Sequence, residues 1–129
     1  MPLEEIVQTF SELIAVPEST RLDICLLWDF LNFLTTPYLK GFAEALAPHL
    51  HSSSVAHGFG VLNNTTPPKS QQYGLAGVDE LVVRPRQTNG LPYHPHPQSE
   101  IEKLLPRFAM GRSLLLSGGQ LEMLLNART

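Results

Sequence analysis

Between Leu3 and Ile14 the apolar residues Leu3, Ile6, Val7, Phe10, Leu13 and Ile14 recur at the spacing that lines one face of an α-helix. Pro2 and the acids Glu4 and Glu5 favour a helix start there, and Pro17 lies where the helix must stop. The rhythm then changes. Leu22 to Trp28 reads LDICLLW, a mostly apolar run of the kind found in strands buried on both faces of a parallel sheet. Thr35-Thr36-Pro37 supplies an N-cap and a first-turn proline for a second helix, with Leu39, Phe42, Ala43, Leu46 and Leu50 along one side. Ser54 to Leu62 mixes β-branched, aromatic and glycine residues and predicts a second strand, in which Gly58 and Gly60 permit close approach to the backbone.

Residues 63–98 hold more than half of the prolines and many turn formers, and read as an irregular excursion containing one short strand from Val78 to Arg84. Ser99 is placed to cap a third helix, with Ile101, Leu104, Leu105 and Phe108 facing one way and an end near Pro106. The tail has two apolar segments around Ser117-Gly118-Gly119-Gln120, a hairpin signal because glycine accepts positive φ. A helix over Leu121 to Ala127 is the alternative. Strands alternating with helices imply a mostly parallel sheet, to which the hairpin adds an antiparallel strand. The expected organisation is a single α/β domain over residues 1–129.

Composition narrows the function classes. A chain of 129 residues that is 43% hydrophobic suits one globular domain. A net charge of −3 with no basic run gives no footprint for nucleic acid or an anionic membrane. The N-terminus carries acids where a signal peptide needs bases, and no apolar stretch is long enough to span a bilayer, so the expected location is the cytoplasm. Without a secretory signal the sequons at Asn63 and Asn64 read as a polar turn. Cys25, the single cysteine, sits in an apolar run and reads as a small buried hydrophobe.

This element order, closing on a hairpin, is similar to the C-terminal half of class I S-adenosylmethionine-dependent methyltransferases. The segment Leu22-Asp23-Ile24-Cys25-Leu26-Leu27-Trp28-Asp29-Phe30-Leu31-Asn32-Phe33-Leu34 resembles that family's fourth strand and following loop, most closely in bacterial methyltransferase-like proteins. Arg112 to Leu116, the turn, and Gln120 to Leu125 resemble its terminal hairpin. The resemblance implies a partial Rossmann-like sheet, the equivalent of strands 4, 5, 6 and 7 with flanking helices. It also implies S-adenosylmethionine as cofactor and methyl transfer to a small-molecule acceptor.

The family's glycine-rich cofactor loop and acidic ribose ligand have no counterpart in place here. Gly58-Phe59-Gly60 falls inside a predicted strand with no helix start after it. Counted backwards, the chain begins at the helix before the fourth strand, so the strand over residues 22–28 is expected to have an open edge. A truncated chain, a partner that supplies the other half and a homodimer paired through that edge all fit, and truncation is preferred. The expected activity is accordingly methyl transfer by the parent protein, with this chain read as a truncated piece whose own activity is left open. The alternative is a non-catalytic interaction module.

Asp29 follows the last apolar residue of the best strand, where ligands bind in open α/β sheets, although a turn-capping role is as good a reading. Trp28, Asp29 and Phe30 are the cofactor-binding candidates that the resemblance implies. Large aromatics at a sheet end are also common core residues. Asn32, His57, Tyr73 and Arg84 are the substrate-binding candidates, with Arg86 beside them, set against turn, core and solvated-surface roles respectively. His49-x-His51 and His94-x-His96 do not present two rings on one face in a helix end or a proline-rich segment, and no metal site is assigned.

Overall fold

The computed structural model describes residues 1–62, 71–85 and 93–128, apart from the side chain of Gln72. Arg86 and the turn at Asn63 and Asn64 lie outside the described residues. In chain order the elements are α1 (Leu3–Ile14), β1 (Leu22–Trp28), α2 (Thr36–Leu46), β2 (Leu50–Val61), β3 (Gln71–Gly77), β4 (Glu80–Pro85), α3 (Gln98–Leu104), β5 (Phe108–Leu115) and β6 (Gln120–Ala127). Short 3-10 turns occupy Phe30–Phe33, Ala47–His49 and Ser117–Gly119.

Four strands form one sheet in the order β1-β2-β6-β5, with β1 parallel to β2 and β6 antiparallel to both of its neighbours. The terminal hairpin is thus a hairpin, not a strand followed by a helix. Gly118 and Gly119 turn it at φ 79° and 80°, where a Cβ would be strained. Its tip is tied to the end of β2 by a bond from the Leu62 N–H to the Gly119 carbonyl, 2.8 Å.

The hydrophobic core lies between this sheet and a helix layer. Cys25, Leu27, Ala56, Leu121, Met123 and Leu125 point up from the strands against Leu39, Phe42 and Leu46 of α2 and Ile101 of α3, with Leu105 beyond it. Phe10 and Ile14 of α1 pack at the margin. Each leucine, isoleucine, phenylalanine or methionine among them, fully buried, contributes roughly 1.5–3 kcal/mol.

All of these helices cover the same face, and this overturns the expectation that β1 is buried on both sides. Cys25 and Leu27 are buried, whereas Asp23, Ile24 and Leu26 are exposed. The cross-strand pairs Leu26 with His57 and His57 with Leu124 therefore lie on a face that no described helix covers.

The excursion is also more regular than the sequence suggested. Gln71–Gly77 and Glu80–Pro85 pair as an antiparallel hairpin about a two-residue turn at Val78-Asp79. The single expected strand from Val78 began inside that turn. Tyr73 and Val83, then Leu75 and Leu81, pair across the hairpin and give it one apolar face. α3 begins one residue before Ser99, at Gln98, with Pro97 as its extended N-cap, so Ser99 lies within the first turn.

Candidate functional site at the strand ends

β1 ends in a left-handed residue: Trp28 has φ 46°, a conformation that costs a non-glycine residue about 1–2 kcal/mol. The chain leaves the sheet there, passes Asp29, and enters the 3-10 turn at Phe30–Phe33. Leu31, wholly buried in the core, anchors that turn. Asn32 is 3% exposed and fastens it to β2: its Nδ2 donates to the Phe59 carbonyl at 2.9 Å. A carbonyl only accepts, so this bond fixes the amide orientation and leaves Oδ1 as the other end. Oδ1 is buried without a hydrogen-bond partner. The Asn32 carbonyl accepts from the His94 N–H at 2.7 Å, which draws the segment before α3 to the same place.

The β3–β4 hairpin delivers Tyr73. Its ring stacks on Phe59 with centroids 5.0 Å apart and lies 5.8 Å from Trp28, so it bridges the ends of β1 and β2. The Tyr73 hydroxyl donates to the Gln71 Oε1 at 3.0 Å. Tyr93 sets its ring edge-on to Phe33 at 6.0 Å, and partial burial pushes its phenol pKa up.

Two spaces meet at Tyr73 and Gln120. A slot of about 10 Å³ is bounded by Asp29, Asn32, Phe33 and Tyr93 together with those two residues. A groove of about 280 Å³ runs under the hairpin along Phe59, Leu81, Val83, Leu116 and Glu122. A wider cleft of about 460 Å³ opens in the helix layer among Lys40, Glu44, Lys103 and Arg107.

Of the residues singled out from the sequence, Trp28, Asp29, Asn32 and Tyr73 come together. Phe30 turns instead to the helices, where its ring meets Phe42 edge-on at 5.2 Å. Arg84 lines the opposite side of the hairpin with Gly74 and Val82. His57 sits on the uncovered sheet face, donating from Nε2 to the Glu122 Oε2 at 3.2 Å, while its Nδ1 is buried without a partner.

Other histidine rings are held locally. His49 Nδ1 donates to the Thr20 carbonyl, His51 Nε2 donates to Asp23, and His96 Nε2 donates to the Leu34 carbonyl. Phe59, Tyr93, Gln120 and Glu122 were not singled out. For the last two a signal existed, because they alternate with the apolar Leu121 and Met123 at strand period.

No family model matches the chain, and no curated protein matches it in sequence. Solved structures do match. A S-adenosylmethionine-dependent methyltransferase from Clostridium acetobutylicum superposes with a TM-score of 0.55 at 13% identity, over 93% of this chain and 63% of that one. The glycopeptide N-methyltransferase MtfA, complexed with S-adenosyl-L-homocysteine, gives 0.55 at 10% identity, over 92% of this chain and 59% of its own. The pyocyanin biosynthetic protein PhzM gives 0.55 at 13% identity, over 95% and 33%. The fold is therefore the mixed α/β fold of methyltransferase-like proteins, and the chain spans less than two thirds of the length of each of these neighbours.

The described residues do not by themselves fit a whole S-adenosylmethionine. A Cβ on Gly58 would lie 3.4 Å from the Trp28 carbonyl oxygen, and one on Gly60 would lie 2.9 Å from the Met123 Cε. These glycines make room for neighbouring strands and side chains, not for a ligand. The strand ends offer aromatic walls and a carboxylate, but the described residues contain no glycine cradle.

Proposed function

We propose that this chain forms the methyl-acceptor side of a S-adenosylmethionine-dependent methyltransferase domain that acts on a small molecule. The observation that carries the reading is the convergence of Trp28, Asp29, Asn32 and Tyr73 beyond the carboxyl ends of β1 and β2, where open α/β sheets bind ligands. The fold likeness to methyltransferases supports the choice of reaction. The donor grip then belongs to residues that pair with the outer edge of β1, which has no strand beside it among the described residues. The net charge of −3, without a basic run, supports a protein with neither nucleic-acid nor membrane partners, and no described helix is long and apolar enough to cross a membrane.

The test is titration of S-adenosylhomocysteine into the purified chain, followed by calorimetry and by amide NMR. The expected outcome is no calorimetric binding in the micromolar range. At millimolar ligand, shifts should be confined to Trp28, Asp29, Asn32 and Tyr73 and be lost in Asp29→Ala. Micromolar binding would mean that a full donor grip exists in this chain. Absence of any shift would remove the transferase reading.

A second reading, a non-catalytic module that pairs with itself or a partner through β1, is favoured by one observation. Ile24, Leu26, Leu114 and Leu124 are exposed apolar residues in the same sheet, with Ile24 and Leu26 on the strand with the free edge.

A further inference from the structure

We infer that the cleft in the helix layer is a second binding site, one that takes a small organic anion: an oxyanion head on an apolar ring body. It shares no lining residue with the spaces at the strand ends and does not rest on the methyl-transfer reading.

Three observations lead there. The first is charge. Lys40, Lys103 and Arg107 line the cleft, three of the nine lysines and arginines in a chain whose net charge is −3. Among the described residues none of the three makes a side-chain hydrogen bond or an ion pair, and Glu44, the one carboxylate that lines the space, bonds to none of them. Two helix ends also reach the cleft, since Ala47 follows α2 and Leu104 closes α3. Each end carries roughly half a negative charge, which together with Glu44 falls short of three full positive charges. The helix end accounts for Lys103 in the last turn of α3, but its pull fades within a turn and does not account for Lys40, near the middle of α2.

The second is the floor. Lys40, Ala43, Glu44 and Ala47 recur at the spacing that lines one side of α2 and its extension, and Leu104 meets them from α3. Ala43 and Leu104 are half-buried and pack against the core, so the base of the cleft is continuous with the interior. An inorganic ion gains nothing from such a base, whereas an apolar body covers it and removes it from water.

The third is size. The cleft measures about 460 Å³, within the range of small-molecule pockets and more than a head group alone fills. Lysine and arginine stems lie along apolar surface while their charged ends stay in water. That arrangement suits a ligand with its body inside and its charge at the mouth.

The experiment titrates naphthalenesulfonate, naphthalenemethanol and naphthylmethylamine, all substituted at the same ring position, and inorganic sulfate into the purified chain, read by amide NMR. The sulfonate should bind about fivefold more tightly than the alcohol, the modest gain that exposed charges give, with shifts at Ala43, Ala47 and Leu104. The amine should bind most weakly of the three ring compounds, and sulfate should leave those signals unmoved. Added salt should weaken the sulfonate and spare the alcohol. In Lys103→Gln combined with Arg107→Gln the preference for sulfonate over alcohol should vanish with the fold intact, because both side chains are exposed. Glu44→Gln should move it the other way and tighten the sulfonate, which a purely structural role for these charges would not do.

Equal binding of sulfonate and alcohol, or an unaltered preference in the double variant, overturns the inference. Shifts at Ile24, Leu26 and Leu124 on the uncovered sheet face, instead of in the cleft, overturn it as well. So does sulfate acting as strongly as the sulfonate, since the site would then be a bare cluster of charge with no use for its apolar base.

Discussion

Cys25 shows how one residue reports on its surroundings. It is buried among core side chains on the helix-covered side of β1, and burial raises its thiol pKa. The folded state therefore holds the proton more tightly than the unfolded chain does. Its contribution to stability is intact below the ordinary thiol pKa and declines as pH rises through and above that range. Urea unfolding midpoints should fall between neutral and alkaline pH, and fall less steeply in Cys25→Ala. An equal slope in the two proteins would contradict the assignment. Native Cys25 should likewise react with iodoacetamide only after unfolding, because the thiolate is the reactive form.

Among the elements, α1 and α2 approach each other closely. A Cβ placed on Gly41 would collide with the Cγ2 and Cβ of Ile6, so glycine lets the two helices close on each other. In an isolated helix Gly41→Ala would stabilise by about 1 kcal/mol. Here overpacking against a β-branched side chain should reverse the sign and lower stability by about 1–2 kcal/mol. Thermal melts of Gly41→Ala, of Ile6→Ala and of the two combined test this: the double variant should lose clearly less than the sum of the two single losses. A stabilised Gly41→Ala variant would show that α1 shifts freely.

The same level separates what the sequence made legible from what it did not. α1, β1, α2 and the closing hairpin were readable because their patterns are local: helical spacing from Leu3 to Ile14, a compact apolar run, Thr-Pro at a helix start, Gly-Gly between apolar segments. The β3–β4 hairpin was not. Gly74 and Gly77 interrupt its alternation, and its turn, Val78-Asp79, contains a residue typical of strands. Asn32 and Tyr73 were visible as candidates, but their meeting with Phe59 and Gln120 depends on a hairpin folding back over β2, which spacing does not encode. The exposure of half of β1 was hidden for a similar reason, since an apolar run does not tell how many of its sides are covered.

On the scale of the whole molecule, one-sided coverage dominates. Ile24 is 64% exposed and Leu26 42%, next to a strand edge that nothing described here occupies. Such an edge invites pairing with another strand, and charge on it is the usual deterrent. Ile24→Lys combined with Leu26→Lys should reduce concentration-dependent association in sedimentation velocity. It should cost little stability, because Ile24 is largely in water and Leu26 lies partly so on the uncovered face. Unchanged association would place the contact elsewhere, and a monomeric wild-type protein would leave the edge without a self-pairing role.

The strand order has one more consequence. β6 is the last described element in the chain, yet it lies between β2 and β5 at the middle of the sheet, pairing Val55 with Asn126 and Phe108 with Ala127. Without it, the sheet is reduced to the parallel pair β1–β2 and a detached β5, and two strands alone are marginally stable. During synthesis the chain must therefore emerge almost to residue 127 before its centre can close, and loop-closure entropy is met before the long-range pairing rewards it. Until then the apolar faces of β1 and β2 stay open together, which makes the growing polypeptide, more than the finished one, the form most in need of a chaperone.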